Sequence, residues 1–256
     1  MRSRREIRAG TLEPYFEIQL RLARRMAELT GAGLGDTAWR YTNFHRRLGF
    51  GLPGDEPGEA WRAYAATLEA GRDLAEQVRA TQAAFLAGED ETLPTPGQTG
   101  FGCFACEPPG PDGAVRIHFA NADTDAAGGP LSTVKIARRR DELARLVAHV
   151  RRVHPQARTI RGKSWLYNIE AYRRLFPPDY TAQRPPAAGP LHLQGTSSWG
   201  QLIDSREAIR NEVRDALAAN LETLDPAAPW RAFPLRVLQV EAPIERFETF
   251  YDRPPA

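Results

Sequence analysis

The chain has 256 residues, of which 42% are hydrophobic and 26% charged, and its formal net charge at pH 7 is +2. A chain of this length and composition can bury a hydrophobic core, either in one large domain or in two small ones. The absence of any run of 18 apolar residues argues against a transmembrane helix, and we expect no membrane partner. A net charge this close to zero gives no reason to expect a nucleic acid as a partner.

The N-terminus is basic and leads directly into an amphipathic pattern, without the apolar segment of a signal peptide. We therefore expect a cytoplasmic protein. Only two of the 34 basic residues are lysines, Lys135 and Lys163. This preference for arginine is typical of a GC-rich genome, and it makes Lys163, beside an aromatic segment, a candidate for mutation.

Hydrophobic residues recur at helical spacing in three segments of the first 90 residues. The spacing predicts one helix over residues 12–29 that ends at Gly31, a second over 39–48 and a long third over 58–87. The second helix carries His45 among aromatic residues. A single histidine in that setting is either functional, as a catalytic base or an anion contact, or a packing or surface residue, and the second role is the commoner one.

Residues 88–100 are acidic and then rich in proline, glycine and threonine, which predicts a loop. We place the internal boundary here. The prediction is a helical N-terminal region over residues 1–95 and an α+β region over 96–256, packed together as one globular unit.

From residue 100 the period of the apolar residues changes to the alternation of β-strands. Three short strands are predicted over residues 100–106, 114–120 and 132–137. An amphipathic helix over 140–153 and a strand over 157–161 follow.

The strand over 157–161 leads into a segment with five aromatic residues between positions 165 and 180, which we call the aromatic junction. Beyond it the pattern predicts a strand over 190–195, a helix from Asp204 to about Leu224 and a final strand over 235–240. The predicted fold class is therefore α+β, with a helical N-terminal third followed by a mixed, mostly antiparallel sheet and flanking helices.

Two cysteines, Cys103 and Cys106, form a C-x-x-C pair. Such a pair can be half of a metal site or a redox pair, but zinc needs two further ligands, and two structural thiols are the simpler interpretation. A loop with Asp123 and Asp125 in D-x-D spacing can likewise hold a divalent cation or form a turn stabilised by its own side chains.

The order of predicted elements after residue 100 is found in GNAT-type acyltransferase folds and in other α+β folds, and several short motifs add to the likeness to the former. These motifs are I-H-F at 117–119, G-P-L-S at 129–132, His154-Pro155, S-W-L-Y at 164–167 and F-P at 176–177. Over residues 114–205 the chain resembles the GNAT-like C-terminal domain of little-characterised bacterial acyltransferases. The resemblance implies transfer of an acyl group from acyl-CoA or a phosphopantetheine carrier to a small molecule.

One departure from the family pattern concerns the cofactor. The family holds the CoA pyrophosphate with a glycine-rich loop at a helix N-terminus, whereas this chain has A-R-R-R-D-E-L there. We propose as a hypothesis that Arg138, Arg139 and Arg140, with Lys163, bind the phosphates of CoA, a carrier-protein phosphopantetheine or a nucleotide instead. The alternative is a solvated basic patch.

Acyl transfer to an amine needs a general base, an oxyanion donor and an acid for the leaving thiolate. The candidates in the resembling region are His118, Ser164 with Tyr167, and His192. Each histidine could instead be structural, Ser164 could be a turn residue, and the aromatic side chains could be core anchors.

Two other functions stay open on the sequence. The helical third and the aromatic junction could form a non-catalytic protein that binds a ligand or partner. A metal-dependent enzyme could use Cys103, Cys106 and His118.

Overall fold

The computed structural model describes residues 3–52, 55–88, 97–189, 191 and 193–252. Within these residues, no helix combines the length and the apolar composition needed to cross a membrane.

The α-helices, in chain order, are α1 Arg4–Thr11, α2 Glu13–Thr30, α3 Leu34–Tyr41, α4 Phe44–Arg47, α5 Glu59–Ala70, α6 Leu74–Ala87, α7 Ile136–Val153, α8 Glu170–Arg173, α9 Pro178–Ala182, α10 Thr196–Trp199, α11 Asn211–Leu221 and α12 Ile244–Tyr251. The strands are β1 Thr99–Phe101, β2 Phe104–Cys106, β3 Ala114–Phe119, β4 Thr159–Ser164 and β5 Leu238–Pro243. Short 3-10 helices cover Thr133–Lys135, Trp165–Asn168, Gly200–Leu202 and Pro229–Ala232.

The backbone divides into two units. A helical unit comprises residues 1–93 and 189–235, and a sheet unit comprises residues 94–188 and 236–256. The sequence-based division has a single boundary near residue 95, with an α+β region after it. In the structure the chain passes from the helical unit to the sheet unit between residues 93 and 94 and returns to the helical unit for residues 189–235. Their buried apolar side chains, among them Trp199 and Leu217, lie in the same core as those of α2.

Helix α2 supplies much of the core of the helical unit, with Tyr15 and Phe16 fully buried. Gly31 ends this helix in a left-handed conformation, with φ of 72°, as predicted from its position. The Trp199 ring meets Tyr15 edge to face at 6.4 Å between centroids. An apolar face of α2 is thereby covered by a segment nearly two hundred residues away in the chain.

Two predicted helices of this unit are each broken into two. Gly71 ends α5, and Asp73 begins α6 by accepting a hydrogen bond from the backbone N–H of Glu76. Thr42 separates α3 from α4, because its hydroxyl donates to the carbonyl of Ala38 and accepts from the N–H of Phe44. A side chain that bonds to its own backbone in this way competes with helix continuation.

The sheet has the order β1-β2-β3-β4-β5 among the described residues. The pairs β1/β2, β2/β3 and β4/β5 are antiparallel, whereas β3 and β4 are parallel and are joined by α7. The prediction of an α+β protein with a mixed, mostly antiparallel sheet and flanking helices is confirmed. The core of this unit lies between the sheet, α7, α12 and the aromatic junction.

The parallel pair is short. Ala114, Val115 and Arg116 pair with residues 159–161, and the described pairing between β3 and β4 ends there. Beyond that point residues 117–119 pair with β2, and residues 162–164 pair with β5. The two parallel strands are therefore hydrogen-bonded to each other only over their first halves.

Several predicted boundaries in the later part of the chain are wrong. Residues 132–137 form a 3-10 turn and the start of α7 instead of a strand, because the Lys135 side chain turns into the loop before them. The final strand starts at Leu238, three residues later than predicted. Of the strand predicted over 190–195, the described residues 191 and 193–195 lie in no strand.

Candidate active site on the open face of the sheet

One face of the sheet is apolar and the other is polar. In β3, Val115 and Ile117 are buried, whereas Arg116 and His118 point to the opposite face. The alternation continues in β4, where Lys163 is exposed. Since strand side chains alternate between faces, the polar residues of both strands share the solvent side of the sheet.

His118 forms an acid–base pair with Glu107 on this open face. Its Nε2 lies 2.7 Å from Oε1 of Glu107, and its side chain is 35% exposed. The backbone N–H of Glu107 donates to the carbonyl of Arg116 at 3.0 Å, which holds the Glu107 backbone beside β3, and the other carboxylate oxygen lies 3.7 Å from the Arg116 guanidinium. A carboxylate so placed holds the imidazole ring in one orientation.

Glu107 was not among the residues selected from the sequence. The antiparallel register between β2 and β3 pairs Cys106 with Ile117, so the next residue on β2 comes beside Arg116. The sequence predicts strands on both sides of this connection but not the register between them, so it does not predict the contact between Glu107 and His118.

Two cations on the same face differ in what they bind. Arg161 donates to Glu241 at 2.6 Å and lies 2.8 Å from Asp112, and the hydrogen bond to Glu241 is the main cause of its raised pKa. Lys163 is exposed, and no partner for its ammonium group is found among the described residues. On this face Lys163 is therefore available to an anionic ligand.

Ser164 and Tyr167 have structural roles in the arrangement observed. The Ser164 hydroxyl accepts from the backbone N–H of Leu166 at 3.1 Å and caps the 3-10 helix that follows β4. The Tyr167 hydroxyl is 2.9 Å from that of Tyr180, and both rings are buried beneath the sheet. Burial raises the pKa of Tyr167 and that of Tyr180 far above the usual value of a phenol. Tyr167 thus lies on the side of the sheet opposite to His118.

The three arginines at the start of α7 differ in burial, and two of them, Arg138 and Arg139, share Asp123 as a partner. Arg139 is buried and bonds to Asp123 at 2.6 Å and Glu142 at 2.9 Å, and it also contacts the sulfur of Cys103. Arg140 donates to a backbone carbonyl at position 174 and stacks on a phenylalanine ring. Arg138, 65% exposed, bonds to Asp123 at 3.1 Å and reaches solvent. The three guanidinium groups do not converge on one open site, because that of Arg139 is buried and pairs with the half-buried Asp123 and the buried Glu142.

The D-x-D loop holds an ammonium group. The Nζ of Lys135 lies 3.1 Å from Oδ1 of Asp123 and 3.0 Å from Oδ1 of Asp125, and it donates to the backbone carbonyls of Asp123 and Gly128. The hydrogen bond from Lys135 is the largest cause of the lowered pKa of both carboxyl groups. The loop is therefore organised around an internal cation.

The two cysteines are free thiols buried in the core of the sheet unit. Burial raises the pKa of the Cys106 thiol to about 11. Because Ala105 pairs with His118 and Cys106 with Ile117, Cys106 and His118 face opposite sides of the sheet. These side chains do not form one ligand set, and no group of three or more potential metal-binding residues is found in the described part of the chain.

His192, the remaining catalytic candidate, lies outside the described residues. Of the predicted site, the structure brings His118 and Lys163 to one face and leaves Arg138 exposed at the start of α7. In comparisons with known proteins, no protein-family model, no curated protein and no solved structure matches this chain significantly.

Proposed function

We propose that the sheet unit is an acyl-transfer module in which His118, oriented by Glu107, is the general base. The observation that carries the proposal is the 2.7 Å contact between this imidazole and carboxylate at a place open to solvent. A neutral imidazole can accept a proton at neutral pH, and a neighbouring carboxylate stabilises the imidazolium that results. Such pairs are the usual means of activating an amine or hydroxyl nucleophile.

In the proposed reaction the acyl donor is a thioester of CoA or of a carrier-bound phosphopantetheine. His118 removes a proton from the amine or hydroxyl of a small-molecule acceptor as that group attacks the thioester carbonyl. The new bond to the carbonyl carbon forms, the carbon–sulfur bond breaks, and the thiolate leaves and takes up a proton. The products are the acylated acceptor and the free thiol.

The phosphate contacts are assigned to Arg138 and Lys163. The Lys163 ammonium group is exposed and has no partner among the described residues, and Arg138 is 65% exposed although it also bonds to Asp123. Arg139 is buried in ion pairs, and Arg140 bonds to a backbone carbonyl. Guanidinium and ammonium groups bind phosphate through charge-assisted hydrogen bonds. Two side chains are thus proposed to bind the phosphates, whereas the sequence suggests a site formed by Lys163 and all three arginines.

The experiment measures thiol release from a panel of acyl-CoA donors of different chain length, with a panel of amine and alcohol acceptors. His118→Gln should lower the rate by about a hundredfold, in the range of general-base catalysis. Glu107→Gln should lower it less, because the imidazole stays in place while the imidazolium formed in the reaction loses its carboxylate partner. His154→Gln, which changes an imidazole at the end of α7, is the matched control and should leave the rate unchanged.

A second comparison tests the phosphate contacts. Arg138→Gln and Lys163→Met should raise KM for acetyl-CoA and leave KM for S-acetylpantetheine, which has no phosphate, unchanged. The proposal fails if no acyl-CoA is consumed and none raises the melting temperature, since a bound donor must stabilise the folded protein.

A further inference from the structure

A cleft in the helical unit lies between the end of α3 and two later segments of the same unit. It encloses about 290 Å³, and its described lining includes Arg40, Tyr41, Leu193, Pro229 and Trp230. This volume is near the lower end of the range of small-molecule sites. The size limits the occupant to a compact molecule.

The polar groups of the cleft are mainly unused hydrogen-bond donors. The Arg40 side chain is exposed, and Tyr41 and Trp230 are half-buried. Among the described residues, no hydrogen-bond or ion-pair partner is found for the guanidinium group, for the phenol or for the indole N–H. No described lining residue carries a carboxylate. The cleft therefore offers one positive charge and two neutral donors.

The walls of the cleft are held in place without a ligand. The Gln194 amide donates to the carbonyl of Trp39 at 3.0 Å, and the Trp199 indole donates to the carbonyls of Tyr41 at 3.2 Å and Leu193 at 2.8 Å. On the other side, Asn220 of α11 donates to the carbonyl of Ala232 at 2.7 Å, which anchors the 3-10 helix bearing Trp230. A pre-formed cleft reduces the entropy lost on binding.

We infer that this cleft binds a small organic carboxylate with an aromatic or aliphatic body. One guanidinium matches a single negative charge, and the phenol and indole can donate to further acceptor atoms of the ligand. Leucine and proline side chains and the flat faces of Tyr41 and Trp230 give an apolar surface for the body of the ligand. A phosphate monoester, with its second charge, would lack a second cation among the described lining residues.

The inference is independent of the acyl-transfer proposal, since it concerns the other unit. We would titrate the full chain with 3-phenylpropionate and hexanoate, and follow binding by ligand-observed NMR and by tryptophan fluorescence. The neutral amides of the two acids and phenyl phosphate are the comparison ligands. We expect saturable binding of the carboxylates and at least tenfold weaker binding of the amides, which keep the shape and lose the charge.

The variants locate the site. Arg40→Gln should weaken carboxylate binding about tenfold or more and leave the binding of the amides unchanged, and Trp230→Phe should reduce the fluorescence response while keeping the fold. Arg62→Gln changes another exposed arginine of this unit, one without a partner among the described residues, and should have no effect. The inference is overturned if no carboxylate binds saturably, if amides and acids bind equally well, if phenyl phosphate binds more tightly than the carboxylates, or if Arg40→Gln binds like the parent.

Discussion

The hydroxyl of Tyr167 lies against the backbone of Gly162, so closely that a methyl group on this glycine would come within 1.8 Å of the phenolic oxygen. The Tyr180 hydroxyl would be 2.5 Å from the same methyl. Gly162 is on β4, just beyond the last residue paired with β3. The missing side chain is what allows the aromatic junction to pack directly on the sheet.

Gly162→Ala should therefore destabilise the protein by about 3 kcal/mol, the upper part of the range for overpacking in a core. The methyl meets two buried tyrosines that bond to each other, and neither can move without losing a buried hydrogen bond. Urea unfolding measures the effect. Gly100→Ala, on strand β1 with open space around the position, is the control and should change stability by less than about 1 kcal/mol. Equal stabilities for the two variants would contradict the packing described.

Glu207 is the next position where a substitution is informative. Among the described residues other than glycine, Glu207 is the one with a positive φ, 62°. Its carboxylate bonds to Arg47 at 3.0 Å and to Arg8. Left-handed backbone costs free energy in a residue with a side chain, so the ion pairs must offset it. Glu207→Gln should destabilise the protein by about 2 kcal/mol, because the buried Arg47 loses an ion pair.

The same variant should have a different dependence on pH. Burial acts to raise the pKa of Glu207, but the bonds from Arg8 and Arg47 outweigh it and hold the pKa below its ordinary value. A carboxyl group with a lowered pKa stabilises the folded state above the unfolded pKa, about 4.5, and this contribution is lost as the pH falls through the folded pKa. The difference in unfolding free energy between parent and Glu207→Gln should thus shrink below pH 4. Glu56→Gln, an exposed glutamate, should show neither effect.

Lys135→Met tests whether an internal ammonium group organises the loop with Asp123 and Asp125. Removing the charge leaves the loop oxygens without their shared donor. Hydrogen exchange at the amides of Asp125 and Gly128, which bond to each other's carbonyls, should become at least about tenfold faster. In the same variant, the amides of β3 should keep their protection. In the control variant Lys163→Met, which changes an exposed lysine, the amides of the loop should also keep their protection. Unchanged exchange in the loop would show that Arg138 and Arg139 are sufficient to hold Asp123.

The sequence allowed some of these features to be predicted because they are local. Gly31 ends its helix, and the alternation in β3 places Arg116 and His118 on the polar face, as expected from residue type and period. The helical period of α7 could have separated Arg139 from its neighbours, since Glu142, Leu143 and Leu146 follow it at the spacing of the buried face. The interpretation of residues 138–140 as one basic patch ignores this period.

Other features depend on partners far along the chain, and periodicity does not identify such partners. The apolar face of α11 shows that Leu217 is buried, but it does not show that the residue packs with α2. The break at Thr42 depends on a hydrogen bond from its hydroxyl to the backbone carbonyl of Ala38. It also depends on a tertiary contact, because the neighbouring N–H of Asn43 donates to the side chain of Gln19 on α2. Tertiary contacts of this kind decide between alternatives that are close in local free energy.

His45 allows a last prediction, in which a histidine makes the protein sensitive to acid. Its ring is buried beside Trp39, at 4.9 Å between centroids, and no partner for either ring nitrogen is found within the described residues. Burial, with a smaller contribution from Arg46 and opposed by Asp55, lowers the pKa of His45 to about 4. Between the unfolded pKa of about 6.5 and this value, the unfolded chain binds a proton that the folded chain does not. Stability should therefore fall by about 2 to 3 kcal/mol as the pH is lowered from 6.5 to 4.

His45→Phe should remove this pH dependence, because the ring no longer titrates. At pH 7.5 the variant should be about as stable as the parent or slightly more stable, since two unpaired buried nitrogens are replaced by carbon. The measurement is the unfolding free energy in urea at pH 7.5, 6.0 and 5.0, with His154→Gln as a control that keeps the parent's profile. A loss of several kcal/mol at pH 7.5 in His45→Phe would mean that the imidazole makes a polar contact essential to the folded state, and the explanation based on an unpaired ring would then be wrong.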